Sequence, residues 1–146
     1  MIRQFTAADR AAYLQMAHDF YHSEAVDHVI PDAHIERTAD LLLEGSPYAA
    51  GYILEQAGQI AGYALLALTW SQEGGGFTVW VEELFVLPQF RGQGIGTEFF
   101  QALRTLYPQA ARFRLEIEPD NEKAKALYTR MGFSMLNYGQ MVQDLY

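Results

Sequence analysis

The sequence predicts an α/β fold in which one mixed β-sheet carries helices on its faces. Three observations carry this prediction. Apolar residues recur at helical spacing up to about residue 45 and then give way to strand-like runs from residue 48. A Gly-rich turn, Arg91-Gly92-Gln93-Gly94-Ile95-Gly96, stands between an apolar strand and an amphipathic helix. Half of the 146 residues are hydrophobic, with 9 Phe, 9 Tyr and 2 Trp, which is ample material for one core. A single domain over residues 1–146 is expected, since neither a repeat nor a long linker divides the chain.

The elements follow in order. Residues 2–5 read as a short strand, and Thr6 caps a helix with Asp9 three positions on, in a capping-box arrangement. Tyr13, Leu14, Ala17, Phe20 and Tyr21 recur at helical spacing. Residues 22–34 read as a loop, with Asp32 as the cap of a second helix carrying Ile35, Ala39 and Leu42 and ending at Gly45-Ser46-Pro47. Tyr48–Glu55 and Gln59–Thr69, joined by Gln56-Ala57-Gly58, read as an antiparallel hairpin. Gly74-Gly75-Gly76 precedes a strand over Phe77–Leu87, closed by Pro88. Beyond the Gly-rich turn, a helix places Phe99, Phe100, Leu103 and Leu106 on its buried side. A strand is expected over Arg112–Glu118. A helix capped by Asp120 or Asn121 follows, running to about Met131 with Gly132 as its stop. Two short strands near 133–138 and 140–145 complete the expected order.

Composition excludes several function classes. Cysteine is absent, so disulfides, thiolate metal sites and a cysteine nucleophile are ruled out. The net charge of −8 argues against a nucleic-acid partner, which requires cations for the phosphate backbone. No apolar run approaches the roughly 20 residues that span a bilayer, and the N-terminus lacks a signal-like apolar stretch, so no membrane partner is expected and a cytoplasmic location is the default. The charge is uneven. Residues 1–73 hold ten acids and three bases, whereas 74–146 hold eight acids and seven bases. Such an acidic half is either a solvated surface or a favourable field for a cationic ligand.

A Gly-rich turn that opens a helix is suited to phosphate, because glycines admit close backbone approach and the first helical N–H groups point outward. An arginine there adds charge-assisted hydrogen bonds. Here the turn follows Val81-Glu82-Glu83-Leu84-Phe85-Val86, and a helix and a strand separate it from Asn121-Glu122-Lys123-Ala124-Lys125-Ala126-Leu127-Tyr128 and Gly132-Phe133. The first pair of segments resembles the acyl-CoA signature of the GNAT N-acetyltransferases. That signature is an arginine or glutamine, two variable residues, glycine, one variable residue, then glycine or alanine. The distal segment resembles the second motif of that family. Glu82 to Val86, Phe90 to Glu98 and Ala61-Gly62-Tyr63-Ala64 further resemble the diamine and polyamine N-acetyltransferases.

The resemblance implies the GNAT fold, a mixed central sheet with a splayed pair of parallel strands, flanked by about four helices. It implies acetyl-CoA as co-substrate. The pantetheine arm is implied to lie on Leu84, Phe85 and Val86, and the pyrophosphate on Arg91, Gly92, Gln93, Gly94, Ile95, Gly96 and Thr97. Asn121, Ala124 and Tyr128 are implied to touch the same ligand, with Tyr128 as proton donor to the leaving thiolate. Its other reading is a core aromatic.

Acetyl transfer needs a neutral amine, whereas a free alkyl amine has a pKa of about 10. Something must therefore take a proton. The resemblance assigns Glu82 as general base and Glu83 as a holder of the cation. As strand neighbours they face opposite sides unless a bulge re-aims both. Asp27 and His28 are candidates to line the acceptor pocket, a solvent-exposed loop being the alternative. His18 and His22 share i, i+4 spacing without a third ligand, so no metal is expected. Trp70, Trp80 and Phe77 read as core or as cleft lining.

The expected activity is direct acetyl transfer to a primary amine of a small cationic molecule such as a diamine, polyamine or amino-acid derivative. A protein N-terminus, a lysine or an aminoglycoside is an alternative acceptor. A catalytically silent acyl-CoA sensor is an alternative of another class. A homodimer is expected by analogy.

Overall fold

The structure, a computed structural model, describes residues 1–24, 26 and 28–145. Five strands form one sheet in sequential order: β1 (Ile2–Gln4), β2 (Ala49–Gln56), β3 (Gln59–Ser71), β4 (Gly76–Val86) and β5 (Arg112–Leu115). The first four pair antiparallel, and β4 pairs with β5 in parallel. Helices α1 (Arg10–Tyr21) and α2 (Asp32–Glu44) cover one face, and α3 (Ile95–Leu106) and α4 (Glu122–Arg130) cover the other. This is the expected mixed architecture.

Each face has its own core. Tyr13, Met16, Ala17 and Phe20 of α1 pack with Ile35 and Ala39 of α2 onto Ile53, Tyr63 and Phe85 of the sheet. Phe99, Phe100 and Leu103 of α3 pack onto Tyr52, Leu54, Leu66, Val79 and Val81. Burial of these large apolar side chains is the dominant favourable term. Ile53 sits between Tyr52 and Leu54, and their assignment to opposite clusters is the period-two alternation of a strand buried on both faces.

Several boundaries differ from the sequence expectation. Thr6 opens a single 3-10 turn (Ala7–Asp9) before α1 begins at Arg10. Asp9 accepts from the Thr6 N–H at 2.9 Å and also from both terminal guanidinium nitrogens of Arg3 at 2.8 Å. Those partners hold the buried Asp9 carboxyl well below its usual pKa. Asp32 is the first residue of α2 rather than its cap. The extended Pro31 takes that place, and its carbonyl accepts from the His34 N–H at 2.9 Å. Leu106 is exposed, because α3 ends there and Tyr107 turns inward to hydrogen-bond the Tyr52 hydroxyl at 2.9 Å.

The C-terminal part departs most. The strand expected over 112–118 is only the four residues of β5, and no strand forms over 133–138 or 140–145. Phe133 packs on Phe100 and Tyr128, but Met135, Tyr138, Met141, Val142 and Leu145 stay exposed. An alternating apolar pattern makes a strand only where an edge and a buried face receive it. Beyond Phe133 neither is engaged.

Gly62 explains the close approach of β3 and β4. A Cβ on it would lie 2.1 Å from the Phe85 carbonyl oxygen, so only glycine fits where the two strands pair.

Candidate active site

The β4–β5 pairing is short. It runs from Thr78 opposite Arg112 to Val81 opposite Leu115, and β4 then continues alone to Val86. From Glu83 onward β4 is paired on its β3 side only, which leaves the backbone edge from Leu84 to Val86 without a strand partner on the β5 side. The side chains of Leu84 and Val86 turn to the α3 face and Phe85 to the α1 face. The parallel pairing thus ends at Val81 and Leu115.

A bulge lies at the same point. Leu65 pairs with Glu83 and Leu66 with Val81, so Glu82 has no partner on β3. An extra residue on one strand breaks the alternation of faces. Val79 and Val81 belong to the α3-side core, while Phe85, two residues past Glu83, belongs to the α1-side core. Glu82 and Glu83 consequently line one cavity of about 280 Å³, walled by Tyr13 and Tyr21 of α1 and His34 and Thr38 of α2. The alternation expected for strand neighbours is overturned by the bulge.

The two carboxylates have different surroundings. Glu83 is 7% exposed, and the Tyr21 hydroxyl donates to Oε1 while the Tyr63 hydroxyl donates to Oε2 at 2.6 Å. Burial raises its pKa, and the two phenols oppose that rise. Burial beside Glu83 in turn holds the phenols of Tyr13, Tyr21 and Tyr63 above their usual pKa. Glu82 stands at the solvent-exposed mouth with no hydrogen bond or ion pair among the described residues. The protein crowded around it, then Glu116 and Glu83, raise its pKa.

Past the end of β4, Gly92 (φ +74°) and Gly94 (φ +82°) give the turn its left-handed backbone, and α3 starts at Ile95. The amides of Ile95, Gly96 and Thr97 are first-turn donors with no intrahelical acceptor, which suits this end of α3 to an anion. The Gln93 side chain braces the turn on the Gln89 carbonyl at 3.1 Å. Arg91 bends back, its Nε donating to the Val86 carbonyl at 2.9 Å, with the guanidinium 5.7 Å from the Phe85 ring centre. It thereby ties the turn to the open end of β4. Gly96 faces α4, where a Cβ would meet Leu127 at 3.1 Å.

Helix α4 supplies the remaining residues. Asn121 is its N-cap, its side-chain oxygen accepting from the Ala124 N–H at 3.1 Å. Tyr128 lies half-buried, edge-on to Phe100 with ring centres 5.5 Å apart, and burial raises its pKa. It lines a groove of about 850 Å³ that also touches Leu115, Glu116 and Ile117 at the end of β5. Glu116 therefore borders the groove and also acts on Glu82.

Other candidates are not brought to the cavity. His28 is exposed and Ile30 and His34 line the cavity in its place, while Asp27 lies outside the described residues. His18 and His22 stack with ring centres 4.0 Å apart, and no group of three or more metal-ligating side chains occurs among the described residues. Trp70 is exposed, and Trp80 stacks under Arg114 with its charge 4.1 Å from the ring centre. Sequence reading missed Tyr21, Tyr63, His34 and Glu116. Tyr13 and Tyr21, eight residues apart on one helix face, were the available signal for the tyrosine wall.

Comparison with known proteins accords with this arrangement. The thialysine N-epsilon-acetyltransferase of Mus musculus is 35% identical over 82 residues, covering 53% of this chain and 46% of that protein. The putative [ribosomal protein bS18]-alanine N-acetyltransferase of Bacillus subtilis (strain 168) is 29% identical over 93 residues, covering 62% of this chain and 57% of that protein. The chain thus spans about half the length of these curated relatives. A structure of AAC(6')-Iy in complex with the bisubstrate analog CoA-S-monomethyl-acetylneamine superposes with a TM-score of 0.80 at 17% identity, over 100% of this chain and 98% of that one. The model of the acetyltransferase (GNAT) family matches residues 13–133, from α1 through Phe133, and the chain belongs to that family.

Proposed function

We propose that this protein is an N-acetyltransferase that moves an acetyl group from acetyl-CoA directly to the primary amine of a small cationic molecule. The observation that carries the reading is the β4 bulge. It puts Glu82 and Glu83 in one small cavity, at the point where β4 loses its β5 partner. The family's use of acetyl-CoA agrees with this chain's own residues: a left-handed glycine turn, free first-turn amides and an open strand edge.

Acetyl-CoA supplies an acyl thioester. The residues that would hold it are Arg91 to Thr97 at the pyrophosphate, the backbone of Leu84 to Val86 along the arm, and Asn121 and Ala124 at the start of α4. Glu83, buried and fixed, attracts the cation. Glu82 has a free carboxylate and a raised pKa, and it takes the amine proton directly or through one water. The neutral nitrogen then forms the N–C bond as the C–S bond breaks, and its second proton leaves to solvent. Tyr128, kept protonated by burial, gives its proton to the departing sulfur.

A cavity of about 280 Å³ and its carboxylates support a diamine, polyamine or amino-acid-like acceptor. The relative named for thialysine fits that size class. The test combines two measurements. Acetyl-CoA should raise the melting temperature progressively with concentration. Thiol release should then be followed against small amines, peptide N-termini, lysine peptides and aminoglycosides. No thermal shift at millimolar acetyl-CoA removes the donor assignment. Turnover confined to peptides or aminoglycosides removes the small-amine acceptor, and binding without turnover of any amine points to a sensor.

A further inference from the structure

We propose that Tyr21 and Tyr63 are positioning residues for Glu83, clamping its carboxylate as a fixed seat for the acceptor's ammonium group. The inference deepens the functional reading above and rests on it. The two phenols come from separate elements, α1 and β3, and each donates to a different oxygen of the same carboxylate. A buried carboxylate held by an arginine would be neutralised and closed to substrate. Phenols fix the group without cancelling its charge.

The hydrogen-bond arithmetic leaves room for a ligand. A carboxylate offers about four lone-pair sites. Two are taken by the phenols, and the others remain on a group that lines the cavity. An ammonium brings three donors and a charge to such a site. The clamp itself is held by ring packing: Tyr63 lies edge-on to Tyr13 with centres 5.0 Å apart and tilted against Phe85 at 6.0 Å, and Tyr21 meets Phe20 at 5.1 Å. Tyr63 is 1% exposed, so its hydroxyl has little freedom to turn elsewhere.

The surroundings set the electrostatic consequence. Facing Glu83 are Tyr13 and Tyr21 from α1, His34 from α2, Tyr63 from β3 and Glu82 from β4, with Glu116 acting on Glu82 from beyond β5. Among the described residues, no lysine or arginine lines the cavity. Burial favours the neutral acid, and the two phenols are the groups that oppose it. Removing a phenol therefore raises the Glu83 pKa further and empties the seat of charge at pH values where the native protein keeps it.

The deciding variant is Tyr21→Phe, which keeps the ring on a half-buried residue, with Tyr63→Phe as the second. Steady-state acetylation is measured from pH 5.5 to about 9 with the best amine found for the native protein. Loss of a hydrogen bond to a charged group predicts an acceptor KM raised about tenfold. The acetyl-CoA KM should stay unchanged, and the acidic limb of kcat/KM should move to higher pH. In a Glu83→Gln background, Tyr21→Phe should have no further effect. A uniform fall in kcat, with acceptor KM and pH profile unmoved, would overturn the clamp in favour of a structural role. Carbon-13 NMR titration of the Glu83 carboxyl gives a readout that needs no turnover. It should titrate at higher pH in Tyr21→Phe, and an unshifted titration refutes the proposal. Should the native protein acetylate no amine, the functional reading fails while this titration still decides whether the phenols hold the charge.

Discussion

Replacing Gly62 with alanine tests how the β3–β4 contact supports the site. The added Cβ would lie 2.1 Å from the Phe85 carbonyl oxygen, 3.1 Å from its carbon and 3.1 Å from the Val86 Cα. All three are backbone atoms, so no side chain can swing away, and the strands must separate by about 1 Å to restore ordinary contact. Overpacking of this kind costs about 1–3 kcal/mol. Distorting one or two ladder hydrogen bonds adds about 1 kcal/mol each. The sum, about 2–5 kcal/mol, corresponds to a melting temperature lower by about 6–15 °C for a chain of this size. Urea unfolding of the purified protein measures it, with Gly96→Ala as control. The Cβ of that variant meets only the tip of Leu127 at 3.1 Å, and alanine regains about 1 kcal/mol of helix propensity, so its stability should barely change. A Gly62→Ala protein as stable as Gly96→Ala would refute the argument that backbone contact demands glycine at this point.

The other predictions concern charge and proton transfer. Tyr128→Phe should lower kcat by about 10–100-fold with acetyl-CoA affinity nearly unchanged; unaltered turnover ends the proposal that it is the proton donor. Glu82→Gln should suppress the rate and leave only the part of the acidic limb that Glu83 sets, and a full-rate variant would pass the base role to another group. Deleting Glu82 leaves Leu65 opposite Glu83 and Leu66 opposite Val81, so stability should hold while activity falls; a collapse of the fold would show that the bulge is structural. Asp9 has a folded pKa below its unfolded value of 3.8, so its stabilisation is present above that value and is lost as pH falls through the folded pKa. Asp9→Asn should cost about 2–3 kcal/mol near neutral pH and much less at pH 2, and an equal cost at both would sink the linkage.

How much of this was legible in the sequence depends on how local each cause is. The helices announced themselves because Tyr13, Ala17 and Phe20, and later Phe99, Phe100 and Leu103, repeat at helical spacing and do pack inward. The Gly-rich turn was visible because left-handed backbone at Gly92 and Gly94 leaves a compositional mark. The end of β5 was not legible, since Arg112–Leu115 and the residues to Glu118 alternate charged and apolar in the same way and only the neighbouring strand decides where pairing stops. The same holds for 133–145, whose alternation is a strand signal without a receiving edge. Asp32 was misplaced by one residue because an acidic residue suits both the cap and the first turn, and Pro31 takes the cap. The tyrosine clamp was hidden for another reason: Tyr21, Tyr63 and Glu83 are 62 and 20 residues apart in their pairings, and no local pattern joins them.

The bulge at Glu82 also explains how one strand serves both faces of the sheet. Before it, Val79 and Val81 feed the α3-side core. After it, Glu83 and Phe85 occupy the α1 side, and Leu84 and Val86 take over the α3 side. The frame shift falls where β5 stops pairing, so the place at which β4 gains an open edge is also the place at which it turns two carboxylates the same way. Without the extra residue, a strand this apolar could present one acid to the cavity. A second would fall on the α3 face, where Phe99 and Leu103 would leave it buried and unpaired at a cost of several kcal/mol. Two acids in a single cavity therefore require the irregularity, and the irregularity is tolerated because the missing β5 partner leaves no ladder on that side to break.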